Sequence, residues 1–194
     1  ATLAQSLSDW PNNNARHFAE VQARVNRFVE SGQLGIFAHG YWGHPAMKLP
    51  PEANLMAVAH YLEAMDYQRK SNQITVILGS KTPHIQNLAV GGVANAINPD
   101  DQSTLNLERL AYIRTLMDEL GAFVRQVYLP DVIAIAALYA DWLPYGSGVM
   151  NYLSVPDFPR DTKGTDFAMP GGYVPAGDPA RFQSVEHFGD PFFE

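Results

Sequence analysis

The residues best suited to chemistry lie in two short loops rich in histidine and lysine. His39 and His44 are five positions apart in a glycine- and aromatic-rich stretch, while Lys81 and His84 flank Pro83 in a second stretch. Two imidazoles joined by a carboxylate could ligate a metal ion, but the His39/His44 spacing matches no established pair such as H-E-x-x-H. The residues alone therefore favour histidines that are hydrogen-bonded in a turn.

The Lys81-Thr82-Pro83-His84 turn is the stronger candidate for a functional role. Proline fixes its own backbone angle, and here a cation and an imidazole converge just after the predicted end of a helix. Polar residues are common in loops, so the spacing by itself still favours an ordinary turn.

Two further groups of residues resemble catalytic elements less closely. His60 lies on the predicted long helix opposite Leu55 and Leu62, with Glu63 three positions on, which predicts an exposed position or a polar contact between helices. Gly146-Ser147-Gly148 is typical of a turn rather than a hydrolase nucleophile elbow. The sequence contains neither a P-loop nor a G-x-G-x-x-G motif.

Composition excludes several classes of function. The 194 residues carry a net charge of −7 without a lysine or arginine cluster, which argues against nucleic-acid binding. The absence of cysteine excludes disulfides, thiolate zinc sites, iron-sulfur ligation and cysteine nucleophiles. The longest uninterrupted apolar run, residues 132–138, is far shorter than the roughly 20 residues that span a bilayer. The first residue is alanine and no signal-peptide pattern follows, which suggests a section of a longer chain.

A long helix predicted over residues 50–78 must position the second loop. Proline and glutamate suit its first turn, and the helix is expected to end at Gly79, where a residue without Cβ can turn the backbone. Apolar residues recur with the spacing of one helical face, which predicts a buried stripe. That stripe consists of Leu55, Val58, Ala59, Leu62 and Met65.

Other helices are predicted on either side. Asn12-Asn13-Asn14 should cap a helix that ends near Ser31-Gly32, and Asn106 should start a third helix. Pro130-Asp131 predicts a break and a restart, and residues 132–139 are apolar on every side, as in a helix surrounded by protein. The predicted buried face of the third helix comprises Leu107, Leu110, Met117, Leu120, Val124 and Val127.

The fold class predicted from these patterns is mainly α. A helical bundle core over residues 1–143 is followed by residues 144–194, an irregular, turn-rich, proline- and glycine-rich extension of the same domain. Short strands are expected near residues 149–155 and 167–174. Such an extension buries little on its own, so it should wrap around the helices or a partner.

Several stretches together match one known family. Two of them contain the motifs Gly40-Tyr41-Trp42-Gly43-His44-Pro45 and Lys81-Thr82-Pro83-His84. The matching stretches are residues 31–37, 40–52, 57–62, 81–84, 90–93, 106–110 and 151–156. Their combination, over nearly the whole chain, resembles the large subunit of nickel-iron hydrogenases. The resemblance is closest to the membrane-associated uptake enzymes that face the periplasm.

The resemblance implies a specific activity, cofactor and partner. Large subunits of that family hold a nickel-iron centre with cyanide and carbon monoxide on iron, and cleave H2 heterolytically into protons and electrons. The electrons leave through iron-sulfur clusters of a small subunit, and from there toward a membrane acceptor. The expected assembly is a heterodimer that is periplasmic and membrane-associated through its partners.

The sequence departs from the family at the metal ligands. The family holds its metals through two C-x-x-C motifs, one near each end of the large subunit, and this chain has no cysteine. A site made of four thiolates cannot form here, so we expect the central section of a large subunit, inactive alone and binding no metal itself. The resemblance places His84 near the proximal cluster of the small subunit, where its N–H would influence the cluster's potential. Lys81 would help shape the same contact.

Two alternatives stay open on the sequence. One is a cysteine-free, non-catalytic scaffold or interaction subunit related to hydrogenases, which has lost its metals. The other is a metal enzyme that uses His39 and His44, which predicts stoichiometric metal in the purified protein.

Overall fold

Helices dominate the first part of the chain and short strands the remainder, as the predicted fold class requires. The computed structural model describes residues 1–35, 38, 43–90 and 92–185. Its contacts divide the chain into two compact units, unit 1 (Ala1–Ala140) and unit 2 (Asp141–Glu194). That residues 144–194 extend the same domain as residues 1–143 stays a prediction.

The helices of unit 1 follow one another with few strands between them. They are α1 (Thr2–Leu7), α2 (Ala15–Glu30), α3 (Pro51–Gly79), α4 (Leu107–Phe123) and α5 (Leu129–Leu138), with a π-helical turn at Val124–Tyr128 and a short antiparallel pair, β1 (Leu88–Ala89) and β2 (Gly92–Val93), after α3.

Asparagine caps start α2 and α4 as predicted. The Asn14 side chain accepts a hydrogen bond from the backbone N–H of His17, and Asn106 accepts one from Arg109. Helix α2 ends at Glu30, and its apolar side places Phe18 and Val21 in a core. That core cluster comprises Ala4, Phe18, Val21, Met56 and Ala59.

Helix α3 has the predicted length, but the residue that ends it is different. Ser80, rather than Gly79, takes the left-handed conformation, with φ +67°. Gly79 is still helical, and a Cβ added to it would lie 2.8 Å from Cγ2 of Ile85. Its missing side chain therefore lets the following loop fold back tightly against the helix end.

The predicted buried stripe of α3 is only partly correct. Ala59 is fully buried, but Val58 and Met65 are 39% and 52% exposed. The predicted Leu55 and Leu62 pack against the core cluster that contains Ala59, and Ala53, Met56 and His60 are buried as well. Apolar residues occur on more than one side of this helix, so their spacing alone did not identify its inner side.

Helices α4 and α5 form one continuous helix over residues 107–138, so the predicted break at Pro130-Asp131 is wrong. The π turn directly precedes Pro130. Proline lacks an N–H and crowds the carbonyl four residues earlier, and a wider turn accommodates both effects without breaking the helix.

The predicted inner face of this long helix is correct at Val127 and wrong at several other positions. Ile113, Leu116, Phe123 and Val127 are its buried hydrophobic residues. Leu107 and Met117 are about as exposed as a surface side chain, at 62% and 60%. Residues 132–139, predicted to be surrounded by protein, include Val132 at 45% and Ile133 at 61% exposure. Asp131 and Glu119 on this helix contact His60 and Lys70 of α3, so the side that carries them faces α3.

This helix is long and apolar enough to cross a membrane by length and composition. A single helix of this kind is weak evidence for a membrane span. Glu119 and Asp131 both project from it onto polar groups of α3, which fits packing against protein. Tyr139, just beyond α5, accepts hydrogen bonds from the backbone N–H groups of Lys48 and Leu49 and so ties the segment before α3 to this helix.

Unit 2 contains short antiparallel strands, some within the predicted stretches 149–155 and 167–174 and others, at residues 157–159 and 183–185, outside them. They are β3 (Tyr152–Ser154), β4 (Asp157–Pro159), β5 (Phe167–Met169), β6 (Gly171–Val174) and β7 (Gln183–Val185). The order β3-β6-β7 forms one sheet, in which Leu153 pairs with Tyr173, and β4 pairs with β5. A Cβ on Gly171 would lie 2.5 Å from the backbone oxygen of Val185, so only glycine permits this close approach.

Candidate functional site

The turn that follows α3, residues 80–86, is the predicted site, and its two ends are held firmly. The N–H of Ser80 donates to the carbonyl of Val76 at 2.8 Å, and the N–H of Gln86 donates to that of Gly79 at 3.1 Å. The loop therefore leaves and rejoins the end of α3 within a few residues.

The side chains of Asn87 and Asn95 hold this turn against the end of α3. Asn87 and Asn95 each donate through Nδ2 to the carbonyl of Leu78, at 2.9 and 2.8 Å. Asn87 Nδ2 also lies 2.8 Å from Asn95 Oδ1. These bonds use a carbonyl at the helix end that lacks an intrahelical partner, so they close the end of α3 and fix the loop beside it.

The side chains of the predicted site are presented to the outside. Lys81, Thr82, Pro83 and His84 are all exposed, and the Thr82–Pro83 peptide bond is cis. Thr82 Oγ1 lies 3.4 Å from Asn72 Oδ1 on α3. This arrangement displays a cation and an imidazole on a braced turn, which suits contact with a partner better than chemistry in a closed pocket.

A second polar group lies along α3 itself and was not predicted as a unit. His60, Glu63, Tyr67 and Lys70 follow one another at helical spacing and make contacts with other helices or with the segments between them. We call these four residues the α3 seam.

His60 lies at the buried end of the α3 seam, with 4% exposure. Its Nδ1 is 2.6 Å from Asp131 Oδ2 on α5, and its Nε2 is 2.8 Å from Asn13 Oδ1. The prediction of a polar contact between helices is confirmed, while the alternative of an exposed position is wrong. The partner is Asp131, which the sequence indicated only as a helix-start residue.

Glu63 occupies the middle of the α3 seam and faces the N-terminal segment. Trp10 Nε1 donates to Glu63 Oε2 at 2.8 Å, and His17 Nε2 lies 3.3 Å from Glu63 Oε1. The second distance is that of an ion pair without hydrogen-bond geometry. Trp10 also packs edge-on against Phe123, so the carboxylate is held among aromatic rings.

Tyr67 and Lys70 join α3 to α4. Tyr67 stacks on Phe123 with 4.2 Å between ring centroids, and burial raises the pKa of its hydroxyl. Lys70 donates to Glu119 Oε2 at 2.5 Å, which raises the pKa of the ammonium group, and it lies 4.6 Å from the centre of the Tyr67 ring. These contacts hold α4 against α3 through charge, stacking and a cation–π interaction.

The α3 seam could have been found by treating polar residues as a periodic set. Positions 60, 63, 67 and 70 have the same three-and-four spacing as an apolar stripe. Their partners Asp131 and Glu119 are distant in sequence, and periodicity on one helix carries no information about them.

The remaining histidine candidates are not brought together as a metal site. His44 is exposed and its Nδ1 accepts a hydrogen bond from the N–H of Ala46 at 3.1 Å, whereas His39 lies outside the described residues. Within residues 1–35, 38, 43–90 and 92–185, no group of three or more histidines and carboxylates is arranged to hold a metal ion.

Asp161, in a loop of unit 2, is a carboxylate with a strongly lowered pKa. Asp161 accepts hydrogen bonds from the side chain and N–H of Thr165 and from the N–H of Asp166, and these bonds lower its pKa to about 2. These partners lie within five residues of Asp161, so it stabilises a local turn.

Comparison with known proteins supplies the family. The family model described as nickel-dependent hydrogenase matches residues 1–190. The Hydrogenase-2 large chain of Escherichia coli K12 is 53% identical over 190 residues, which cover 98% of this chain and 34% of that protein. The uptake hydrogenase large subunit of Rhizobium leguminosarum bv. viciae is 45% identical, with 98% and 33% covered.

A solved structure agrees with these relatives. The Ni-Fe-Se hydrogenase of Desulfovibrio vulgaris Hildenborough superposes with a TM-score of 0.58 at 27% identity, over 72% of this chain and 27% of that one. The chain thus spans about a third of the length of the curated relatives it matches. The match over residues 1–190, together with identities of 45–53%, shows that the chain belongs to the nickel-dependent hydrogenase family.

Proposed function

We propose that this chain serves as the central section of the large subunit of a nickel-iron hydrogenase that oxidises H2 to protons and electrons. The observation that carries the proposal is the family match over residues 1–190, with large chains as relatives. In this assignment the electrons pass to iron-sulfur clusters of a small subunit.

The chain's own residues do not fit the nickel-iron centre. The resemblance gives that centre thiolate ligands, and the 194 residues include no cysteine. The part of the chain that the structure describes also holds no cluster of three histidines and carboxylates. In the proposed function this section therefore supplies scaffold and contact surface, and it is inactive toward H2 by itself.

The braced turn after α3 is the proposed contact with the small subunit. His84 and Lys81 are exposed there, on a loop fixed at both ends by hydrogen bonds to α3. We infer that His84 lies near the proximal cluster, where its N–H would tune the potential. Lys81 would shape the same contact by its charge.

The exposed apolar side of the α4–α5 helix supports a larger assembly. Side chains such as Leu107, Met117 and Ile133 are each about 60% exposed, a pattern that marks a surface meant to be covered. We infer that other parts of a large subunit and the small subunit cover it. A periplasmic, membrane-associated location through these partners belongs to the same proposal and rests on the resemblance.

A chimera tests the proposal. This chain would replace the aligned section of the Escherichia coli Hydrogenase-2 large chain, and H2-dependent reduction of a dye would be measured in the purified complex. Retained activity is expected. A chimera that binds the small subunit but does not oxidise H2 would favour the non-catalytic scaffold.

The matched variant is the same chimera with His84→Ala. The section should still fold, because the side chain is exposed in this chain, while redox titration of the proximal cluster by electron paramagnetic resonance should show a shifted potential. An unchanged potential would remove His84 from the proposed role without affecting the family assignment.

A further inference from the structure

The contacts of His60 define a buried proton-binding site in unit 1. Both ring nitrogens face oxygen atoms, at 2.6 Å for Asp131 Oδ2 and 2.8 Å for Asn13 Oδ1. A neutral imidazole carries one N–H and one bare nitrogen, so it can donate to only one of these oxygens.

The orientation of the Asn13 amide decides that Nε2 of His60 carries a proton. Asn13 is 3% exposed, and its Nδ2 lies 3.2 Å from the carbonyl oxygens of both Ala4 and Ser8. Carbonyl oxygens only accept hydrogen bonds, so the NH2 group must face them and Oδ1 must face His60. An amide turned the other way would place its oxygen against two carbonyls.

The second ring nitrogen meets a carboxylate. Asp131 is 9% exposed, and at 2.6 Å its oxygen is at the distance of a charge-assisted hydrogen bond. An ionised Asp131 can only accept, so with Oδ1 of Asn13 on the other side each ring nitrogen would carry a proton, whereas a protonated Asp131 would donate to a bare Nδ1. The ring of Phe18 on α2 packs beside His60, at 6.1 Å between centroids, and completes the enclosure.

We propose that His60 and Asp131 form a buried ion pair in unit 1, in which an imidazolium donates one N–H to the ionised carboxylate of Asp131 and the other to the amide oxygen of Asn13. His60 on α3 thereby joins Asn13, in the segment before α2, to Asp131 at the start of α5, and its N–H groups make both contacts. The proposal rests on the geometry of unit 1 and does not depend on the hydrogenase function.

Nuclear magnetic resonance on the intact protein with ¹⁵N-labelled histidine tests this directly. At about pH 8 an ordinary exposed imidazole is neutral, and its two nitrogens have widely separated frequencies. The His60 ring should instead show two protonated nitrogens at similar frequencies, each coupled to a ring proton. His44, whose Nδ1 accepts from a backbone N–H, supplies the internal reference for a neutral ring.

Asp131→Asn is the matched variant, since the two side chains have the same shape. The new amide can donate to Nδ1, which leaves Nε2–H to donate to Asn13, so every group stays paired with a neutral ring. The His60 signals should change from imidazolium to the Nε2–H tautomer, while those of His44 stay in place.

Two results would overturn the proposal. One is a wild-type His60 with one bare nitrogen at about pH 8. The other is an imidazolium pattern that persists unchanged in Asp131→Asn, since the carboxylate would then not be what holds the second proton. The wild-type measurement decides the question by itself if the variant does not fold.

Discussion

His60 and His84 lie on the same element, one in the middle of α3 and one just beyond its end, and their surroundings are opposite. His60 is 4% exposed, and both its nitrogens are engaged by groups from other segments. His84 is exposed on a turn that is fixed by backbone hydrogen bonds and by the side chains of Asn87 and Asn95. The comparison separates a buried histidine that joins helices from an exposed histidine on a turn.

Replacing His60 with alanine should lower the free energy of unfolding more than any other change described here. A small loss would contradict the structural role given to His60. The change leaves Asp131 as a buried carboxylate without its partner, which costs about 3–5 kcal/mol of unfolding free energy. Urea denaturation followed by circular dichroism measures it. A loss below about 1 kcal/mol would mean that the His60 contacts contribute little to joining the helices.

Gly79→Ala tests how tightly the displayed turn is held. Its Cβ would lie 2.8 Å from Ile85 Cγ2, so the loop must shift, and overpacking of this kind costs about 1–3 kcal/mol. Gly121→Ala is the control, since its Cβ would meet only the flexible end of Arg125, and alanine favours a helix by up to about 1 kcal/mol. Thermal unfolding of both variants should move in opposite directions.

Glu119→Gln sharpens the role of charge in the α3 seam. The Lys70 and Glu119 side chains are 31% and 44% exposed, so solvent screens the ion pair and its loss should cost only about 0.5–1 kcal/mol. Added salt should reduce the difference between variant and wild type. A salt-independent loss would indicate that packing with Tyr67, rather than charge, holds α4 here.

His84→Ala should have the smallest effect on stability. The side chain is exposed and the turn is fixed by Gln86 and Asn87, so the unfolding free energy should stay within about 0.5 kcal/mol of wild type. The same denaturation experiment measures it beside His60→Ala. A loss as large as that of His60 would make His84 a structural residue and weaken its proposed contact with the small subunit.

Local signals in the sequence predicted the elements well. The asparagine caps at Asn14 and Asn106 and the proline start of α3 depend on residues within one turn, and the structure confirms them. The family resemblance, carried by short motifs such as the Lys81 to His84 turn, is confirmed as well.

Contacts between residues far apart in the chain were not predictable from the sequence. Asp131 and His60 are 71 positions apart, and nothing near either residue indicates the other. Without that contact, the inner side of the α4–α5 helix was assigned from apolar spacing, which selected Leu107 and Met117 instead of Ile113 and Leu116. The α4–α5 helix carries apolar side chains on its inner and its outer side, so the apolar periodicity of the sequence does not distinguish the two sides.

The π turn at Val124–Tyr128 has a geometric consequence for the whole second half of the long helix. A π turn corresponds to one additional residue within an α-helix, which rotates everything after it by about 100° around the axis. Asp131 lies three residues past that turn. Removing a single residue from the π turn would point the Asp131 carboxylate away from α3. The contact between Asp131 and His60 therefore depends on the number of residues in this turn.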